Sequence, residues 1–333
     1  MDANPVEHAV PAGYAVLAEV VRNGFVESVH YGSVSGLAPD GSLAHARGDV
    51  HGTVLPRSTT KPFQALACLT ADAPLTGERL AIAAGSHTGE DFHVKTVAAI
   101  LADAGLGFEA LQCPATPPED GRTRAALIRN GEPEKSRERM NCSGKHAAML
   151  AACVVNDWPV ETYLDVNHPL QQGVRTTMAD AAGERPAPVA VDGCGAPLFG
   201  LTLTGLARAA QSLVLAKNGP YRAVADAMRE YPEYVGGTGH LNTELMKALP
   251  GSVVKGGAEG VLIAATAEGH AVAVKVIDGS PRATTAVAVH ALAALGAAVT
   301  PAAAELAAVP ILGGGRVVGE IRVVSEIRTT EGK

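Results

Sequence analysis

Arg57-Ser58-Thr59-Thr60-Lys61-Pro62 stands where the pattern of this 333-residue sequence changes. Before it the chain reads as β. Residues 14–22 are apolar-rich, Asn23-Gly24 is a two-residue hairpin signal, and residues 25–31 alternate. Pro39-Asp40-Gly41 marks a second turn between two more short strands. After Thr59, Phe63, Leu66, Ala67 and Leu69 follow helical spacing. From there to about residue 250 the chain is mostly helical, with candidate helices over 91–104, 144–155, 169–182, 201–215, 220–229 and 241–249. Strand character returns at 252–255, 260–265 and 271–277, followed by a helix over 282–297 and a last strand over 316–324. Terminal strands in this order pair into one antiparallel sheet, with the central helices as a second lobe against it. The expected fold class is α/β (α+β): a single two-lobed domain over 1–333. Its sheet lobe covers about 10–57 and 250–330, and its helical lobe about 58–249. A site would lie in the crevice between the lobes.

Composition narrows the function classes. Apolar residues make up 47% and charged residues 18%, so a sizeable core is feasible. Net charge is -7, with a pI of about 5.9, which argues against a nucleic-acid footprint. The basic clusters Arg122-Thr123-Arg124 and Lys135-Ser136-Arg137-Glu138-Arg139 read as solvated loop surface. The longest apolar stretch, 286–299, contains His290 and is closed by Pro301; it suits a buried helix better than a bilayer span. Asp2 and Glu7, without a basic segment and an apolar run, read against a signal peptide. Five cysteines, an odd number, read as reduced thiols in a cytoplasmic setting, not as a disulfide framework.

The chemistry begins at the same stretch. A serine hydroxyl is a poor nucleophile until a base takes its proton. Ser58 and Lys61, three apart at a helix start, share a face, so the amine could reach the hydroxyl. That amine must be neutral to act as base, and burial or a neighbouring cation would lower its pKa. The bland alternative is a capped helix start with an exposed lysine. Ser252-Val253-Val254-Lys255 repeats the spacing on a strand, where positions three apart face opposite ways, so it cannot form the same dyad. Ala84-Gly85-Ser86-His87-Thr88-Gly89-Glu90 places a second serine in a small-residue loop before a helix. Lys255-Gly256-Gly257 ends a strand where glycine lets the backbone approach a ligand. Together the three motifs stand in the chain order of the penicillin-binding and β-lactamase signature.

A separate cluster carries sulfur. Met140-Asn141-Cys142-Ser143-Gly144-Lys145-His146 opens a helix, and Val191-Asp192-Gly193-Cys194-Gly195-Ala196-Pro197 follows a strand. Two thiolates and a third donor would form a soft metal site, zinc first. The alternatives are two semi-buried thiols, or a nucleophilic Cys142 or Cys194 paired with His146 or His87.

The segments around Ser58 and Lys61, Ser86, Cys142 and Cys194 resemble the asparaginase II family, over about residues 15–327. The resemblance implies a β-lactamase-like fold, a homodimer, and hydrolysis of L-asparagine to L-aspartate and ammonia. It implies Ser58 with Lys61 as one Ser–Lys pair and Ser86 with Lys255 as the second. It also implies a zinc ion held by Cys142, Lys145 and Cys194. Ser58 would attack the side-chain amide to give an acyl-enzyme, with backbone amides near Ser58 and the Gly256–Gly257 strand holding the oxyanion. For the substrate's charged ends, Asp192 is assigned to the α-ammonium and Arg57 or His87 to the α-carboxylate. Three rivals remain. One is a penicillin-recognising hydrolase or esterase on the same fold. Another is an amidase that frees Thr238 by cleavage after Gly237, and the third is a non-catalytic metal-binding protein.

Overall fold

A computed structural model of the chain describes residues 12–324. The stretch carrying Asp2 and Glu7, and the sheet-lobe ends at 10–11 and 325–330, lie outside the described residues. Asn23 and Gly24, at φ 47° and 80°, close the hairpin between Ala15–Arg22 and Phe25–Leu37. That left-handed pair is what a tight hairpin turn requires and what Asn-Gly supplies at least cost. Ala15–Arg22 pairs on its other edge with Arg316–Val323, and Phe25–Leu37 pairs with Ala271–Val276. The sheet order is Pro310–Gly313, Arg316–Val323, Ala15–Arg22, Phe25–Leu37, Ala271–Val276, Val261–Ala265, Val253–Gly257. Leu43–Arg47 joins beside the second half of Phe25–Leu37. The pairings are antiparallel, so strands from the two ends of the chain do form one sheet.

Helices Leu203–Leu215 and Thr284–Ala294 both pack on Val261–Ala265 and Ala271–Val276. Those strands are buried along nearly their whole length, as covering both faces of a sheet demands. In the second lobe, Ser143–Val155 is buried from Ser143 to Cys153. A helix apolar and buried all round belongs at a centre. Lys61–Thr70, Gly77–Ala83 and Asp91–Asp103 pack on it. Gly144 permits the close approach of Gly77–Ala83: a Cβ there would stand 2.7 Å from the Ile82 carbonyl oxygen.

Three details depart from the sequence expectation. The helix expected over 201–215 starts at Leu203, because Leu201–Thr202 pairs with Thr53–Val54 and the Thr202 hydroxyl caps Gly205 N. The helix expected over 282–297 runs Thr284–Ala294 after a short 3-10 turn at Pro281–Ala283. Helices Gly77–Ala83 and Gly121–Asn130 stand in stretches for which no element was expected, and the strand expected ahead of Asp192 is Val189–Val191, paired with Pro197–Phe199. Among the described residues, no helix is long and apolar enough to cross a membrane.

Candidate active site

The sheet's edge strand Val253–Gly257 runs alongside the serine turn Arg57–Thr60. A Cβ on Gly257 would stand 3.1 Å from both Pro56 O and Ser58 N, so glycine is what lets the strand lie against the turn. Arg57 holds φ 52°, a conformation costly for a side chain of its size and found where a site dictates backbone geometry. Ser58 N–H has no acceptor among the described residues. It is therefore a free donor beside the glycine strand.

Lys61, Lys145 and Lys255 are each at most 2% exposed. Such burial is rare for lysine without partners or function. Lys61 Nζ donates to Ser86 Oγ at 2.9 Å and to Asn141 O at 3.1 Å. Lys255 Nζ lies 2.8 Å from the same Ser86 Oγ and donates to Gly256 O at 2.7 Å. Burial, then the charge of Lys61, holds Lys255 well below the ordinary lysine value. The expected hydrogen bond between Ser58 and Lys61 is not formed. Ser58 lies in the 3-10 turn and Lys61 opens the following helix, and its amine runs to the Ser86 loop. Ser58 and Ser86 nonetheless line one cleft, with Gly256, Gly257, Glu119, Asn141 and Asn242.

The Ser86 loop is pinned from several sides. Ser86 N donates to Val235 O and His87 N to Asn141 O. His87 is fully buried; Gly89 N donates to its Nδ1, and its Nε2 lies 2.9 Å from Ser143 Oγ. Burial, with His93 and Lys61 nearby, holds His87 well below the usual histidine value. Both ring nitrogens are therefore engaged inside the protein, and His87 braces the loop without lining the cleft. Asp192 and Arg57 meet directly: Arg57 Nε donates to Asp192 Oδ1 at 2.7 Å, and its terminal nitrogen is 3.7 Å from Glu259.

The sulfur residues also converge. Lys145 Nζ donates to Cys194 Sγ at 3.0 Å, and Cys142, whose Sγ donates to Asn141 Oδ1 at 3.1 Å, adjoins Cys194. Cys142, with Lys145 and His146 beside it, drives the Cys194 thiol far below its ordinary value against the cost of burial. Cys142 moves up, through its neighbour Cys194 and through burial. Burial works against the Lys145 ammonium, but Cys194, Cys142 and Asp192 outweigh it and raise its pKa. No group of three or more His, Cys, Asp or Glu side chains able to hold a metal occurs among the described residues. A donor set that includes lysine is a different case. Two sulfurs and an amine meet in one buried spot, and His146 Nε2 beside them is buried without a hydrogen-bond partner. These residues fit a soft divalent ion. A nucleophilic role for either cysteine fits less well, because both are at most 3% exposed and neither lines the cleft.

Residues 18–323 match the family described as L-asparaginase II. The chain belongs to the L-asparaginase II family. Among curated proteins none matches significantly. Solved structures similar to it include Mglu in a tris and glutamate form, at 15% identity and TM-score 0.43, covering 82% of this chain and 62% of that one. A β-lactamase from Mycobacterium bovis matches at 15% identity and TM-score 0.45, covering 79% and 94%. A Bacillus glutaminase matches at 13% identity and TM-score 0.40, covering 74% and 83%. This chain thus spans about three fifths of the length of the Mglu chain.

The sequence pointed to neither Glu119, which accepts from Asn141 Nδ2, nor Asn242, which accepts from Gly256 N at 3.1 Å. Nor did it point to His240, which lines the same cleft and whose pKa is lowered by burial and by Lys255. Each is an isolated polar residue, carrying no local signal that fold proximity alone does not supply.

Proposed function

We propose that the chain hydrolyses the side-chain amide of L-asparagine to L-aspartate and ammonia through an acyl-enzyme on Ser58. One observation carries this reading: two buried lysines meet at Ser86 in the cleft that Ser58 shares, and one of them, Lys255, has a depressed pKa. A neutral Lys255 can accept the Ser86 proton while Lys61 donates to the same oxygen, so Ser86 becomes a relay. Ser58 Oγ then bonds to the amide carbon, and its proton passes through this relay to the departing nitrogen, which leaves as ammonia. Ser58 N–H, free and beside the Gly256–Gly257 strand, supports an oxyanion site. Water cleaves the ester in the second half, with the same groups acting in reverse.

Asparagine carries both charges at its α-carbon. The adjacent Arg57 and Asp192 offer the complementary pair, guanidinium to carboxylate and carboxylate to ammonium. Cys142, Lys145 and Cys194 would hold a zinc ion, which when bound supplies a fixed positive charge beside Asp192. Lys145 would first give up its proton, which makes metal binding pH-dependent.

A second reading rests on one specific observation: Ser86, not Ser58, is the serine in direct contact with both lysines, so Ser86 is a rival first nucleophile. Ammonia release from L-asparagine, measured for the wild type, Ser58→Ala and Ser86→Ala, tests both readings. Ser58 as nucleophile predicts loss of at least about 10³-fold in kcat in Ser58→Ala. Activity retained in Ser58→Ala and lost in Ser86→Ala moves the nucleophile to Ser86. Absence of ammonia from the wild type removes the asparaginase reading.

A further inference from the structure

The cleft beyond Ser58 is larger than asparagine requires. It holds about 480 Å³, within the range of roughly 300–1,000 Å³ that encloses drug-sized ligands. Ser58 and Ser86 contribute to it, but neither Arg57 nor Asp192 lines it. The Arg57–Asp192 pair is therefore not part of the cleft wall, whereas Ser58, next to Arg57 in the chain, is. A substrate whose α-carbon is held at the clamp and whose amide carbon is at Ser58 has this cleft available to its leaving group.

The far part of the cleft has a definite chemistry. Leu241, Val261, Leu262 and Pro281 give it apolar walls, and Arg282 is the only arginine or lysine lining it among the described residues. Arg282 is not loose. Its Nε donates to His30 Nε2 at 2.8 Å, and a terminal nitrogen donates to Ser28 Oγ at 3.2 Å. Because a guanidinium can only donate, His30 Nε2 accepts, and the ring proton sits on Nδ1, where it reaches Asp278 Oδ2 at 2.6 Å. His30 itself is 2% exposed, so this Asp278–His30–Arg282 chain is a built support. The remaining terminal nitrogen of Arg282 has no partner among the described residues. Thr285, 1% exposed, lines the same wall with its hydroxyl unpartnered among the described residues. The other ionisable side chains on the cleft are Glu119, already engaged by Asn141, and His240.

We propose that this cleft is a leaving-group subsite and that the protein cleaves β-aspartyl dipeptides, in which the side-chain carboxyl of L-aspartate is joined to the α-amino group of an apolar amino acid. The second residue's side chain lies on the Leu241–Leu262–Pro281 wall, and its carboxylate pairs with Arg282. The proposal rests on the asparaginase reading of Ser58 and of the Arg57–Asp192 clamp. Its chemistry is the same: the Ser58 oxygen bonds to the β-carbonyl carbon and the carbon–nitrogen bond breaks. The nitrogen keeps the electron pair and takes the relayed proton. Water then cleaves the ester, releasing L-aspartate and the free apolar amino acid. His30 and Asp278 are positioning residues that act through Arg282.

The test compares L-asparagine, β-aspartyl-leucine and β-aspartyl-leucinamide as substrates of the full chain, wild type and Arg282→Gln. Aspartate release is the readout. The expected result is turnover of β-aspartyl-leucine with kcat/KM about tenfold above the leucinamide, the worth of one partly exposed charge-assisted hydrogen bond. Arg282→Gln should lower the ratio of β-aspartyl-leucine to leucinamide kcat/KM to about one. The leucinamide comparison needs no variant and stands even if Arg282→Gln fails to fold. Hydrolysis of asparagine without hydrolysis of β-aspartyl-leucine overturns the proposal and leaves the asparaginase reading intact. So does equal use of the two peptide substrates by the wild type. Hydrolysis of none of the three overturns the underlying reading, and this proposal with it.

Discussion

Lys255 and Lys145 are both fully enclosed, yet their surroundings push them in opposite directions. Lys255 meets a serine hydroxyl, a carbonyl and the charge of Lys61, so burial and Lys61 outweigh the smaller opposite pull of Cys142 and Glu119 and its pKa falls. Lys145 meets the Cys194 and Cys142 sulfurs and Asp192, and their attraction exceeds the burial cost, so its pKa rises. The residue type is the same, and what differs is whether an anion stands next to it. The serine cluster is thereby arranged to move protons, and the sulfur cluster to hold charge in place.

Replacing the two lysines separately should break this symmetry most visibly. Lys255→Met should reduce kcat by about 10²–10⁴-fold, the usual worth of a proton-transfer group, with a smaller loss of stability than Lys145→Met, since burial disfavours the charged form of Lys255. Lys145→Met should instead cost about 3–5 kcal/mol in urea unfolding of metal-free protein, because it strands the Cys194 thiolate. Equal stability losses in the two variants would contradict the contrast. The pH profile sharpens it further. With a depressed pKa, Lys255 gains its proton only at lower pH than an ordinary lysine. So kcat/KM for asparagine should rise with pH and level off with a midpoint below about 10.4. A midpoint at or above that value would mean that Lys255 is not the base.

Smaller effects are expected at the edges of the serine cluster. Asp192→Asn should raise KM for asparagine by about 10–100-fold, the worth of a hydrogen bond to a charged group, and unchanged apparent affinity would discard the clamp. Gly257→Ala should lower kcat by about tenfold, since its Cβ, 3.1 Å from Ser58 N, must push the serine turn by a few tenths of an ångström. A wild-type rate would show that the strand does not set the turn's position.

Local chemistry was legible in the sequence wherever spacing alone decides it. Asn23-Gly24 announced its hairpin, Lys255-Gly256-Gly257 its strand end, and the small residues around Cys142 the start of a buried helix. The convergence of Cys142, Lys145 and Cys194 came from family resemblance, because 49 positions separate Lys145 from its sulfur partner. Pairing by spacing misled at Lys61. The Ser58–Lys61 separation suits a continuous helix, but the 3-10 turn breaks the register and the amine finds Ser86, 25 positions on. His87 was a candidate, with Arg57, for the substrate carboxylate, whereas Ser143, 56 positions away, takes its ring. Arg282 stayed hidden for the same reason: the side chain that orients it, His30, is 252 positions distant.

The central claim is that Ser58 carries the acyl group while Ser86 relays the proton. Rapid acid quench of the protein during turnover of L-asparagine, followed by peptide mapping by mass spectrometry, tests it most directly. The account predicts an aspartyl ester on the peptide containing Ser58, absent in Ser58→Ala. An ester on Ser86, or a thioester on Cys142 or Cys194, would contradict it.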